Sequence, residues 1–137
     1  MAGRMSALHN PRSLVAGQSV PPVSRNGGGG ANTANGSSID LRGKRGGGFI
    51  LTIGALTGAA NVAAYLQTGD NLDDAANANW TNVNATLYTN AAVTAKTNAN
   101  AVFEMDYDPA TGGVAQVRAV LVTDANVAIA GIEHYTF

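Results

Sequence analysis

The sequence predicts an all-β protein, a jelly-roll-like antiparallel β-sandwich carrying a long extended N-terminal arm. Three observations carry that expectation. From Phe49 onward the apolar residues recur with a period of two, in about eight short runs spaced roughly ten residues apart and punctuated by Gly, Asn, Asp and Pro; this is the pattern of a sandwich and not of alternating βαβ units. The abundant alanines sit among Thr, Val, Asn and Gly, which are poor company for a helix. The glycine-rich stretch Gly27–Gly48 then divides the chain into two textures, giving an expected arm over residues 1–48 and a sandwich domain over 49–137.

Within the arm, Leu8, Leu14, Val15, Val20 and Val23 follow no period, and Pro11, Pro21 and Pro22 exclude a long helix. Such a segment is either a disordered tail or a peptide that orders on a partner. The isolated anchors Leu14-Val15 and Ile39-Asp40-Leu41, separated by polar spacer, suit an extended peptide laid along another protein. The expected partner contacts are therefore Arg12, Leu14, Val15, Arg25, Ile39, Leu41, Arg42, Lys44 and Arg45.

The domain opens with Phe49, Leu51 and Ile53 alternating against Ile50, Thr52 and Gly54, a strand buried on both faces at its start. Thr57-Gly58 turns the chain, and Val62, Ala64 and Leu66 give a second strand expected to form a hairpin with the first. Gly69 to Asn79 is a polar loop in which Asp70 or Asn71 is placed to cap a short helix over Leu72 to Ala78. Trp80 to Tyr88 and Ala91 to Thr97 follow as strands, with a turn at Asn98 and Asn100. Ala101 to Tyr107 directs Phe103, Met105 and Tyr107 inward and Glu104 and Asp106 outward. The Asp108–Gly113 reversal predicts a second hairpin with Val114 to Val122, which buries Val117, Ala119 and Leu121. Asn126 to Ile132 closes the chain, with a bulge expected at Gly131.

Charge is divided like texture. Residues 1–48 carry Arg4, Arg12, Arg25, Arg42, Lys44 and Arg45 against Asp40, while the remainder holds only Lys96 and Arg118 against eight carboxylates. The arm should seek an acidic protein surface or nucleic acid. Nucleic acid is the weaker expectation, because the six cations are spread thinly and no aromatic residue lies among them to stack a base. Cysteine is absent, which excludes disulfides and thiolate metal sites. With no secretory signal and no run long enough to span a bilayer, the chain is expected to be soluble, without a membrane partner.

Chemistry finds no foothold. Gly43-Lys44 is followed by Arg45 and then by a strand, so it is not a phosphate-binding loop but a flexible spacer. Asp70, Asp73 and Asp74 lack the alternating spacing and central glycine of a calcium loop, and Asp106 and Asp108 straddle a strand end and a turn. His9 and His134 are too few for a metal site, and no Ser-His-Asp set stands in a credible context. The expectation is a protein that is not an enzyme and uses no cofactor.

Three stretches resemble a class of small tailed-bacteriophage proteins that decorate or cement the capsid exterior. They are Phe49-Ile-Leu-Thr-Ile-Gly-Ala-Leu-Thr-Gly58, then Leu66-Gln67 with the acidic loop and Trp80-Thr81-Asn82-Val83, and Val117-Arg118-Ala119-Val120-Leu121-Val122. The chain departs from the pattern in an acidic loop lengthened by Ala75 to Asn79 and in an unusually long basic arm. The resemblance implies a virion protein made in the host cytoplasm, a homo-dimer or trimer on the outer surface of the particle. Its partner would be the major capsid protein, whose joints it cements while the arm clamps neighbours. A phage fibre or receptor-binding sandwich that recognises carbohydrate is the alternative, and the expected use of Trp80, Tyr65 and Tyr107 in the core leaves little for a sugar platform.

Overall fold

The structure, a computed structural model, describes residues 15–26, 32–57, 60–83, 92–97, 99–109, 115–124 and 127–137. In chain order its strands are β1 (Val15–Asn26), β2 (Asn32–Asn35), β3 (Ile39–Asp40), β4 (Gly47–Leu56), β5 (Val62–Gly69), β6 (Trp80–Asn82), β7 (Ala92–Lys96), β8 (Ala101–Tyr107), β9 (Gln116–Thr123) and β10 (Val127–Thr136). They form two antiparallel sheets packed as a jelly-roll-like sandwich. One has the order β1-β10-β4-β8; the other has β2-β9-β5-β6, with β3 pairing along β9 beside β2 and β7 along β5 beside β6.

Alternation decides what lies between the sheets. Phe49, Leu51 and Ile53 of β4, Met105 and Tyr107 of β8, and Ala128, Ala130 and Ile132 of β10 are all but inaccessible, as are Val62, Ala64 and Leu66 of β5 and Val117, Ala119 and Leu121 of β9. All belong to one cluster. Burial of a single Leu, Ile or Phe side chain contributes about 1.5–3 kcal/mol, so this cluster dominates stability.

The expected arm is where the structure differs most. β1 runs the length of β10, from Val15 opposite Thr136 to Asn26 opposite Val127, and Val20 is 2% exposed. Ile39 and Leu41, expected to anchor a partner, belong to the protein's own core. The sandwich therefore includes residues from Val15, not from Phe49. The physical reason lies in Pro21 and Pro22. Prolines break a central ladder but are tolerated in an edge strand, and β1 takes them at an edge with register shifts around Val20.

Neither expected hairpin forms. β4 and β5 lie in different sheets, as do β8 and β9, so each connection crosses the sandwich. Periodicity marks which face of a strand is buried but not which strand lies beside it. The helix expected over Leu72 to Ala78 reduces to one 3-10 turn at Ala75–Asn77. The Asp70 carboxylate, instead of capping a helix, closes the loop at its base, accepting the Asn79 backbone N–H at 2.7 Å and its side-chain amide at 2.8 Å. Gln116 anchors the same loop from below, accepting the Asn71 N–H at 3.0 Å and donating to the Asn71 carbonyl and the Ser38 hydroxyl. Toward β4, Gly131 is in register opposite Thr52 and the shift lies between Ala128 and Ala130; toward β1, a register shift between Val20 and Val23 falls opposite Gly131, where the bulge was expected. A Cβ at Gly131 would meet the backbone of Pro22 at 2.7 Å, so the glycine lets the proline edge close over β10. Of the strand expected over Trp80 to Tyr88 the structure describes β6, and residues 84–88 lie outside the described ones, as do Gly58, Asn98 and most of the Asp108–Gly113 turn.

Candidate interaction surface

Of the nine residues expected to touch a partner, Arg12 and Leu14 lie outside the described residues and Val15 begins β1. Ile39 and Leu41 are buried. Arg25 is held against its own sheet, donating to the Pro21 carbonyl at 2.7 Å and the Ala130 carbonyl at 3.4 Å, and burial lowers its pKa. Arg42 grips Asp40 through Nε and Nη2. That hydrogen bonding lowers the Asp40 pKa and raises that of Arg42. Lys44 and Arg45 share the same turn, whose backbone is tied to Leu41 and Phe137. These residues do not converge on one surface. Arg42, Lys44 and Arg45 form one local turn, while Arg25 sits at the far end of β1.

The structure instead draws attention to the outer face of the four-stranded sheet. Register places Glu104, Ile50, Glu133 and Gln18 in one row across all four strands. Asp106, Gly48, Tyr135 and Ala16 form a row on one side, and Val102, Thr52 and Gly131 a row on the other. Glycines leave room on this face for neighbouring side chains. Tyr135 lies down over Gly48, where a Cβ would overlap its ring, and its hydroxyl donates to Glu104 Oε1 at 2.9 Å. Val102 is 66% exposed and Ile129 42%, and Val23, at 48%, lies on β1 at the margin of the same sheet. These are the large apolar side chains most open to solvent among the described residues, and they share one sheet. The outward positions of its strands hold Glu104, Asp106 and Glu133 and, among the described residues, neither Lys nor Arg. An open groove of about 390 Å³, lined by Ala16, Gly17, Gln18 and Glu133, runs along its β1 side.

One signal for this face was present in the sequence. Val102 stands at an outward parity in a strand whose Phe103, Met105 and Tyr107 point inward, so an apolar residue is spent on solvent. Ile129 gave no such signal, because the register of the last strand was not readable.

On the opposite outer face one polar group is paired within itself. Arg118 stacks on Trp80 at 4.2 Å from the ring centre, and its Nε and Nη2 donate to Gln67, which donates to Asn82. Trp80 and Tyr65, expected in the core, are only half-buried here; Tyr107 is buried. Among the described residues no three His, Asp or Glu side chains are grouped as a metal site, and no helix is long and apolar enough to cross a membrane.

One polar pair is embedded in the sandwich. Ser19 Oγ lies 2.8 Å from His134 Nδ1, with Ser19 3% exposed and the imidazole between Gly17 and the Phe49 ring. Burial pushes the His134 pKa down. Unfolded, the imidazole takes a proton near its ordinary value of about 6.5, whereas folded it does so only at lower pH. Between these values the unfolded state binds more protons. Stability should thus be full above pH 7 and fall as pH drops below about 6.5, levelling off beneath the folded pKa. Urea midpoints at pH 7.5 and 5 should differ for the natural chain and converge for His134→Asn; equal midpoints in the natural chain would contradict the burial of a neutral imidazole.

The sequence matches no protein-family model and no curated protein sequence. Solved structures do share its architecture. The infectious bursal disease virus VP2 subviral particle aligns over 90% of this chain with a TM-score of 0.50 and 12% identity, this chain spanning 32% of that one. The fold is similar to that of this viral particle protein. The SPBc2 prophage-derived protein YomS aligns over 90% of this chain and 93% of its own at a TM-score of 0.47 and 12% identity. The structure of Broad Bean Stain Virus gives 88% and 84% coverage, a TM-score of 0.46 and 10% identity.

Proposed function

We propose that this protein is a structural component of a virion that binds the outer surface of a phage capsid and cements joints between major capsid protein subunits, working as a homo-oligomer. The observation that carries the reading is the outer face of the four-stranded sheet. Its outward positions include Ala16, Gly48, Thr52 and Gly131, and it displays Val102 and Ile129. A joint on a particle needs many modest contacts repeated by symmetry, not a reactive centre. The similarity in fold to VP2 fits that reading, as does the resemblance of the β4, β6 and β9 stretches to capsid decoration proteins. Of the residues 1–48 to which a clamp was attributed, Val15–Asn26 pair with β10 and Ile39 and Leu41 lie in the core, so we assign the clamp to residues upstream of Val15. A carbohydrate platform is not supported, since the face of Trp80 is occupied by Arg118.

The test is binding to capsids assembled without the protein. The natural chain should sediment with them and raise their resistance to heat. Val102→Asp with Ile129→Asp should leave the melting temperature of the isolated protein within a few degrees, because both side chains are already exposed, yet weaken capsid binding by about tenfold or more. Undiminished binding by this variant would remove the face from the reading; failure of the natural chain to bind would remove the reading itself.

A further inference from the structure

The outer face of the six-stranded sheet, turned away from the one proposed to meet a capsid, carries a charge that the fold leaves uncompensated. Register sets Asn82, Gln67 and Arg118 in one row across β6, β5 and β9, with Trp80 opposite Gly69 on one side of the row and Tyr65 opposite Val120 on the other. Arg118 is the sole charged residue at the outward positions of these three strands. On the adjoining β3, Asp40 stands opposite Gln116, but its carboxylate is held by Arg42. Among the described residues Arg118 forms no ion pair.

Its guanidinium is nevertheless fixed in place. The Trp80 ring lies over Gly69, where a Cβ would stand 3.0 Å from Cζ3, and it receives the guanidinium 4.2 Å from its centre. Gln67 Oε1 accepts from Nε at 2.9 Å and from Nη2 at 2.8 Å, and the amide is turned that way because its Nε2 donates to Asn82 Oδ1 at 2.9 Å. A guanidinium can grip a carboxylate along either of two edges. Here a neutral oxygen occupies the Nε–Nη2 edge, and the Nη1–Nη2 edge is left. The rotamer freedom that an arginine loses on binding is already lost on folding.

We propose that Arg118 anchors a second docking site, which takes one Asp or Glu side chain of a partner protein across its Nη1–Nη2 edge. The apolar neighbours of that side chain would lie against the parts of Trp80 and Tyr65 that stay exposed, both rings being half-buried. Arginine set among tryptophan and tyrosine is the combination that dominates the energetics of protein interfaces. Burial has already stripped Arg118 of part of its hydration, as its lowered pKa records, so an incoming carboxylate has less water to displace. A nucleic acid is the poorer match. It needs several cations along its backbone, whereas one stands here, beside a loop bearing Asp70, Asp73 and Asp74 that Gln116 holds down.

The experiment is an NMR titration of the full chain with two capped peptides, Val-Glu-Val and Val-Gln-Val, read at the Arg118 Nε–H and the Trp80 indole N–H. The acidic peptide should move both signals saturably with a dissociation constant on the order of millimolar, and the neutral one should bind about tenfold more weakly. Arg118→Lys, read at the indole, keeps the charge without the fork and should weaken the acidic peptide about fivefold or more. Gln67→Glu is the decisive variant, because it sets a carboxylate of the same shape on Arg118 from within the sheet. Its melting temperature should not fall, yet it should no longer bind the acidic peptide. Binding by Gln67→Glu at natural strength would overturn the proposal, as would signals that move with neither peptide at roughly ten millimolar. So would equal movement with inorganic phosphate or a short DNA duplex, which would make the site one for phosphate and not for a protein carboxylate. None of these readouts involves a capsid, so this proposal and the capsid reading are tested separately.

Discussion

A chain beginning at Phe49 is expected not to fold, whereas one lacking only residues 2–14 is expected to melt within a few degrees of the natural protein. The first truncation removes β1, β2 and β3 together. It takes Val20, Ile39 and Leu41 out of the core, about 1.5–3 kcal/mol each and roughly 5–9 kcal/mol in sum. That is comparable to the whole stability of a domain of this size, about 5–15 kcal/mol. It also bares one edge of β10 and one of β9, strands otherwise flanked on both sides, and exposed edges of this kind pair with other chains. The measurement is a thermal or urea melt of both truncations. No cooperative transition and aggregation are expected for the long one. A cooperative transition near that of the full chain would show that the domain does begin at Phe49 and that the pairing of β1 with β10 is dispensable. The shorter truncation leaves every described core residue in place and so serves as the control.

The misplaced boundary shows where the sequence was legible and where it was not. Strands with one apolar face and several turns of alternation were readable at nearly their observed limits, as with Ala101–Tyr107, whose Met105 and Tyr107 are buried as expected, and β9, whose Val117, Ala119 and Leu121 are inaccessible. β1 was not readable, because Val20 is a lone apolar residue between glycine, glutamine and proline, and its burial depends on β10, more than a hundred residues away. β3 is two residues long and carries no period, yet Ile39 and the adjoining Leu41 are core. Partners were less legible than faces, since every long pairing in the sandwich joins strands distant in sequence. The basic residues are legible in the sequence as a group, but the partners of their side chains are not. Arg42 belongs to Asp40 and Arg25 to the carbonyls of its own sheet, local matters of hydrogen bonding that a charge count does not resolve. The interaction face was missed because it is built from register. Glu104, Ile50 and Glu133 come from three strands and become neighbours only when β4 is set between β8 and β10.

That register also fixes the most costly single substitution. Phe49 lies in β4 between Met105 on one side and His134 on the other, and its side chain is fully buried. Phe49→Ala is expected to destabilise the sandwich by about 3–5 kcal/mol, through lost burial and the cavity left between sheets that relax only in part. At about 4–8 °C per kcal/mol for a domain near a hundred residues, the melting temperature should fall by at least ~12 °C. Phe49→Leu, which keeps most of the volume, should lose about 1.5 kcal/mol or less. A second readout separates this site from any other buried aromatic position. The Phe49 ring centre stands 6.5 Å from that of His134, whose pKa is lowered by burial. Opening space there admits water to the imidazole and eases the penalty on its charged form. NMR titration of His134 in Phe49→Ala should therefore move upward toward the ordinary histidine value, and the fall of stability between pH 7.5 and 5 should shrink with it. A loss under 1 kcal/mol with an unmoved titration would mean that Phe49 does not pack between the sheets beside His134, and that the register of β4 against β10, on which the interaction face rests, is wrong.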